Sequence, residues 1–296
     1  MRLRVATRRS ALALAQTRMM CRALESRWPG LVVSEVQIVT EGDRIQDRSL
    51  AEVGGKGLFI KELESALLEG RADVAVHSMK DLPADVAPGL RVAAVPERES
   101  PWDLMVTVDG RALADLPQGA RIGTSSLRRS VQLRAVRPDV SIEMLRGNVD
   151  TRLRRVRDGD FDAVILAEAG VRRLGITVQA FRLEGAVIPA VAQGALALEA
   201  RVDDAQVHAW LAPFDHAQSA VCTQAERAVM RGVEGSCVTP LGALAVLTSS
   251  ELTMRGFLAT PDGSAFVKAS VSGPVDQPEA LGHSLAVRLR QALAAR

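Results

Sequence analysis

Ala72-Asp73-Val74-Ala75-Val76-His77-Ser78-Met79-Lys80-Asp81-Leu82-Pro83 carries the chain from a strand into a loop. Residues 72–76 are mostly small and β-branched with no turn former, which predicts a short buried strand. Pro83 ends regular structure, because it lacks an N–H and fixes φ. Lys80 and Asp81 therefore fall on a loop at the carboxyl end of a strand. In open α/β sheets that edge is where ligands bind. A cation beside a carboxylate there has two readings of equal weight. It is an exposed ion pair contributing almost nothing, or an acid/base group whose pKa a charged neighbour tunes.

Upstream, residues 3–7 read as a strand, and a helix starts near Ser10 with Ala11, Leu14, Ala15, Met19 and Leu24 close to helical spacing. Residues 31–39 form a second strand. Gly54-Gly55-Lys56-Gly57 is a flexible loop, and residues 58–68 are a helix with Phe59, Leu63, Ala66 and Leu67 on one side, ended by Gly70. With the strand at 72–76 this gives the β-α-β-α-β alternation of a doubly wound sheet.

Downstream, the polar, proline-bounded stretch 96–101 reads as a linker. A second alternating unit follows. Residues 121–123 end a strand, Thr124-Ser125-Ser126 caps a helix from Leu127, and 142–145 and 163–166 are strands separated by a helix over 148–157. A short helix runs to Leu174, and residues 188–194 form a second linker. From about Ala217 the character changes to a helix over 219–231, a loop ending at Cys237, and antiparallel strands at 243–247, 252–258 and 265–271. Pro261-Asp262-Gly263 is the turn between two of them. An amphipathic helix over 279–294 follows. The fold class is α/β: two doubly wound lobes facing a cleft, with a small C-terminal α+β domain.

Composition excludes several classes of function. The chain has 296 residues and a formal charge of +2, so bulk electrostatics points to no polyanion partner. Aromatic residues make up 3% and tyrosine is absent, which argues against nucleic-acid binding by base stacking. No apolar run has transmembrane length, and the apolar stretch near the N-terminus is too short for a signal peptide, so a soluble cytoplasmic protein is expected. The three cysteines, Cys21, Cys222 and Cys237, are widely spaced, and the four histidines are scattered; neither a disulfide framework nor a metal site is expected. Cys21 and Cys222 fall on helix faces as small core residues. Cys237 lies on a loop, where a thiol is a candidate covalent group, but no histidine is visibly paired with it.

The chemical signal is anion binding at helix starts. Strand-to-helix junctions at Arg8-Arg9-Ser10, at Ser125-Ser126-Leu127-Arg128-Arg129 and at Arg146-Gly147-Asn148 offer N–H groups, hydroxyls and the helix dipole, with arginines beside them as bidentate clamps. Ten arginines face three carboxylates between Arg121 and Arg157. Arg154, Arg155 and Arg157 read as a solvated helix face. Arg8, Arg128, Arg129, Arg146 and Arg152 read as ligating, and several such sites point to a ligand with several carboxylates or phosphates. The glycine loop around Lys56 lacks the spacing of a phosphate loop and reads as a mobile segment bringing one lysine toward the cleft. Only four lysines stand among the many arginines, which makes Lys56 and Lys80 the more noticeable.

The segments ATRRSALA, GGKGLFIKELE, AVHSMKDLP, GTSSLRR, LRGNVDTRL and GSC together resemble the porphobilinogen deaminase (hydroxymethylbilane synthase) family, in the family's order and over nearly the whole chain. The resemblance implies two lobes similar to periplasmic binding proteins, with the strand after the second linker returning to the first lobe. Residues 1–96 with 195–213 would form the first lobe, 97–194 the second, and 214–296 a cofactor-anchoring domain. It implies condensation of four porphobilinogen molecules, with loss of ammonia, into linear hydroxymethylbilane by a monomeric enzyme with no nucleic-acid or membrane partner. The implied cofactor is dipyrromethane, bound to Cys237 by a thioether. Asp81 matches the catalytic aspartate. Cys237, Lys80, Arg128, Arg129, Ser126, Arg146, Gly147 and Lys56 match cofactor contacts, and Arg8, Ser10, Arg146, Arg152 and Arg173 match substrate contacts. Ala192 replaces a frequent glycine of the second linker, and Ser236 replaces one before the cysteine.

Two other classes compete. A non-catalytic two-lobed receptor for an anion explains the lobes and arginines but leaves the Cys237 domain without a purpose. A phosphate-handling transferase rests on the loop 54–57 alone.

Overall fold

The computed structural model describes residues 1–40, 60–234, 239–248 and 250–296. Lys56, Phe59, Ser236 and Cys237 lie outside the described residues. In chain order the strands are β1 (Arg2–Arg8), β2 (Val32–Ile38), β3 (Val74–Ser78), β4 (Leu90–Ala94), β5 (Asp103–Val106), β6 (Arg121–Gly123), β7 (Ser141–Glu143), β8 (Ala163–Ala167), β9 (Ala180–Arg182), β10 (Leu196–Arg201), β11 (Leu241–Leu247), β12 (Leu252–Ala259) and β13 (Phe266–Gly273).

The first lobe is a sheet in the order β2-β1-β3-β10-β4, and the second a sheet in the order β7-β6-β8-β5-β9. In the first, β1 runs parallel to β2 and β3, while β10 is antiparallel to both β3 and β4. In the second, β6 runs parallel to β7 and β8, while β5 is antiparallel to β8 and β9. Each antiparallel strand enters directly from an inter-lobe crossing, β5 from the first and β10 from the second. The return of β10 to the first lobe is thus a feature of the sheet itself.

Local chemistry explains the elements that position the cleft. Helix Ala11–Arg27 begins where the Ser10 hydroxyl accepts a hydrogen bond from Ala13 N–H (3.3 Å), and helix Val149–Arg157 where Asn148 accepts one from Thr151 N–H (2.9 Å). β3 and β8 are buried for four consecutive residues each, as expected for strands covered on both faces. Their side chains join separate cores: Leu3, Val5, Leu24, Val74, Val76, Leu196 and Leu198 in the first lobe, and Met105, Ile122, Leu133, Ile165 and Leu183 in the second. Each fully buried Leu or Ile contributes about 1.5–3 kcal/mol.

The C-terminal unit is the antiparallel sheet β11-β12-β13, packed against helices Ala217–Gly232 and Pro278–Ala294 through Val229, Met254, Leu285 and Leu289. Among the described residues, no helix is long and apolar enough to cross a membrane.

The two crossings touch backbone to backbone. Gly194 has φ +91°, and a Cβ there would lie 2.3 Å from Glu99 O. No other residue type allows that approach. Ala192, two residues earlier, is fully buried with φ +54°, a left-handed conformation that opposes its side chain by about 1–2 kcal/mol. Its N–H donates to Glu226 Oε2 (2.6 Å), which fixes it. Ala192 thus holds a strained, left-handed backbone in the second crossing.

Candidate active site

The strand β3 delivers its last residues to the cleft as expected. Met79–Asp81 form a single 3-10 turn, and Leu82 leaves it in an extended conformation ahead of Pro83. Asp81 is exposed and borders a small cavity with Arg8, Ser10, Gln16, His77 and Ser78. Arg8 and Ser10 thus meet Asp81, although they lie some seventy residues away in sequence, because β1 and β3 are parallel neighbours.

Lys80 points the other way, toward the second lobe. Its ammonium donates to Gln193 Oε1 (3.3 Å), and Gln193 Nε2 donates to Asp103 Oδ1 (2.9 Å) and to Pro101 O (2.7 Å). Asp103, at the start of β5, is fully buried between Arg128 (2.9 Å) and Arg129 (2.6 Å). Those arginines lie in the first turn of helix Leu127–Val136, and they also donate to Ile188 O and Ile165 O. Burial alone would raise the Asp103 pKa, but Arg128 and then Arg129 hold it well below the usual carboxylate range. Burial likewise lowers Arg128 from its ordinary value, against the attraction of Asp103.

The remaining cations continue this edge. Arg152 is half-buried, and its Nε donates to Gly147 O (2.9 Å). Gly147 has φ +108° and a Cβ there would meet Thr151 at 2.9 Å, so the turn that presents Arg146 and Arg152 needs glycine. Burial, then Arg129 and Arg146, bring Arg152 down to about 10. Lys80 is brought down to about 8, chiefly by burial; Asp81 opposes this and Arg129 adds to it. Arg173 donates to Gly194 O (2.6 Å) and is lowered by burial to about 10. It lines a second inter-lobe hollow of about 450 Å³ with Arg18, Arg22 and Glu99. Arg154, Arg155 and Arg157 are exposed.

Two local expectations change. The Ser126 side chain makes no capping hydrogen bond to its helix. Thr124 Oγ1 instead accepts from Ser126 N–H (3.2 Å), and Ser126 contributes its carbonyl to the first turn, which leaves its hydroxyl for a ligand. Arg128 and Arg129 have their main interactions with Asp103 and so act first as fixed positive walls. Sequence reasoning missed Asp103, Gln193 and Glu226. Glu226 is a buried carboxylate that accepts from Arg98 (2.7 and 3.1 Å), Ala192 N–H and Ala245 N–H (2.8 Å), tying both crossings to the C-terminal unit. The visible hint was the surplus of arginine over 121–157, which requires a buried counter-charge.

A ligand with carboxylates fits this edge. Lys80, Arg128, Arg129, Arg146 and Arg152 converge on it, and Asp103 is the carboxylate enclosed among them. Among the described residues the hydrogen bonds of Lys80 and Arg152 go to neutral oxygens, and burial lowers both cations, so carboxylates of a ligand would stabilise their charge. Among the described residues no group of histidines, cysteines and carboxylates could hold a metal ion.

Comparison with known proteins places the chain in a family. Residues 3–209 match the family profile described as porphobilinogen deaminase, dipyromethane cofactor binding domain, and residues 220–291 match porphobilinogen deaminase, C-terminal domain. Porphobilinogen deaminase of Sorangium cellulosum is 53% identical over 98% of both chains. That of Chromobacterium violaceum is 48% identical over 96% of this chain and 93% of its own. Among solved structures, the methionine binding protein MetQ covers 72% of this chain and 89% of its own at 13% identity, with a TM-score of 0.43.

Proposed function

The chain belongs to the porphobilinogen deaminase family, and on that premise we propose how its residues divide the work. The family's reaction is the joining of four porphobilinogen molecules, with release of ammonia, into linear hydroxymethylbilane for tetrapyrrole biosynthesis. The observation that carries the reading is the placement of an exposed carboxylate, Asp81, beside a cleft edge rich in cations whose enclosed counter-charge is Asp103.

Each pyrrole unit carries an acetate and a propionate, so the growing product is negative at its periphery. Lys80, Arg128, Arg129, Arg146, Arg152 and the Ser126 hydroxyl would hold the carboxylates of dipyrromethane, which supplies a covalently anchored pyrrole carbon as the first acceptor. Cys237 is its proposed anchor. Lys56, on the loop 54–57, is the proposed further cofactor contact. Arg8, Ser10 and Arg173, with Arg146 and Arg152, would hold the incoming substrate. Asp81 faces the carbon that becomes positive as ammonia leaves. Its carboxylate stabilises that charge and accepts from pyrrole N–H groups, an effect strengthened where water is excluded. Gly147 lets the backbone approach the ligand.

Residues 1–96 with 195–213, 97–194 and 214–296 are the proposed working units. The enzyme is proposed to act as a cytoplasmic monomer on a small molecule, without nucleic acid. The mass of the purified protein tests the reading: two pyrrole units on Cys237, absent in Cys237→Ser, are expected. An unmodified Cys237 in protein that still polymerises porphobilinogen would contradict it.

A further inference from the structure

His77 and Glu199 are buried ionisable groups that the division of work above leaves unused. They stand on the neighbouring antiparallel strands β3 and β10. His77 Nε2 lies 2.9 Å from Glu199 Oε2. Glu199 is fully buried, and among the described residues its other oxygen, Oε1, has no hydrogen-bond partner. A carboxylate in such a place is tolerated when a hydrogen-bond donor such as an imidazole N–H faces it. His77 also borders the cavity that Asp81 borders, together with Arg8, Ser10, Gln16 and Ser78. That cavity measures about 60 Å³, room for about two waters. With Nε2 facing Glu199, Nδ1 is the ring nitrogen left to exchange a proton.

The chemistry of joining creates a need for such a group. In each addition the aminomethyl C–N bond breaks and its electron pair leaves with nitrogen as ammonia. A C–C bond then forms to the acceptor pyrrole, and that pyrrole carbon loses its proton. Overall the proton and the ammonia leave as ammonium. A proton retained on Asp81 would neutralise the carboxylate just when the next cation needs it.

We propose that the His77–Glu199 pair takes this proton from Asp81 through the shared cavity, and so restores the Asp81 carboxylate before the next addition. The inference rests on the reading of Asp81 above and adds one step to it, that Asp81 receives the proton the pyrrole carbon loses. His77 is a positioning residue for a proton, acting through Asp81. Among the described residues the other charged groups that face the pair are Glu64 from helix Lys61–Leu68, Arg227 from helix Ala217–Gly232, and Arg8 from the end of β1. Releasing the proton to solvent or to departing ammonia completes the cycle without any other reactant.

The test uses the cofactor-bearing enzyme. Glu199→Gln keeps the side chain's shape but removes its charge. The expectation is a kcat lowered about tenfold, an unchanged KM, and an acid limb of the pH–rate profile moved to lower pH by about one unit. Because this buried change can disturb folding, a second measurement leaves the pair intact: the NMR titration of His77 in the wild type and in Asp81→Asn. The midpoint should move to lower pH when the Asp81 charge is removed. Identical His77 titrations in the two proteins, or an unaltered pH–rate profile in folded Glu199→Gln, would overturn the proposal. Rapid turnover by Asp81→Asn would instead sink the underlying reading of Asp81, so the two failures are distinguishable.

Discussion

Asp103→Asn removes the one charge that reconciles two buried arginines with each other. In the native protein Asp103 accepts from Arg128, Arg129 and Gln193, all enclosed, and Gln193 passes the connection on to Lys80. Asparagine preserves the shape but turns one oxygen into a donor that faces a guanidinium. Breaking a buried ion pair from one side destabilises by about 3–5 kcal/mol, because the remaining charge stays buried without compensation. For a protein of this size that corresponds to a fall in Tm of roughly 5–8 °C. The matched control is Asp139→Asn, at the pair with Arg137 (2.7 Å) near the surface, for which a much smaller loss is expected. Differential scanning calorimetry of both variants at neutral pH supplies the magnitudes, and the fraction of protein retaining its two-pyrrole adduct supplies the functional readout. The sign with pH is fixed. A carboxylate depressed in the fold stabilises above its unfolded pKa, near 4, and the contribution is lost as pH falls toward the lower folded value. The two Tm curves should therefore converge in acid. A loss in Asp103→Asn no larger than the control's, with the adduct retained, would refute the reasoning.

Two further predictions concern the cleft edge and the crossings. Lys80 is brought down to about 8 by burial, so its charge is a penalty on folding below about pH 8 that is relieved as pH rises toward its ordinary value. Carboxylates must restore that charge, so uptake of dipyrromethane by cofactor-free protein should weaken above about pH 8, and Lys80→Gln should abolish this dependence; a flat uptake curve in the wild type would contradict it. Glu226→Gln should lower stability by about 3–5 kcal/mol and accelerate proteolysis at the two crossings together, since the same carboxylate binds Arg98 and the Ala192 N–H; cleavage at one crossing alone would argue against a shared anchor.

The elements that build the cleft were legible where local chemistry is strong. The apolar runs of β3 and β8 and the capping residues Ser10 and Asn148 state their structure within a few neighbours. The strands β4, β5 and β9 leave no clear mark in the sequence, because each is only three to five residues long and neither period stands out over so short a run. The cationic half of the site was legible because arginines at helix starts carry their reason locally. Its organising partners were not. Asp103 meets Arg128 across 25 residues and Gln193 meets Lys80 across 113, and nothing near either residue announces the pairing. Ala192 shows the same limit in the backbone: the sequence reveals a missing glycine, and only the fold shows a left-handed alanine held by a distant carboxylate.

The most direct test of the account is ammonia release by Asp81→Asn on mixing with porphobilinogen, measured by rapid quench with the adduct on Cys237 confirmed by mass. The account predicts a folded, cofactor-bearing protein that binds substrate but releases ammonia about 10²–10⁴-fold more slowly. Release at a rate close to the wild type's would contradict it.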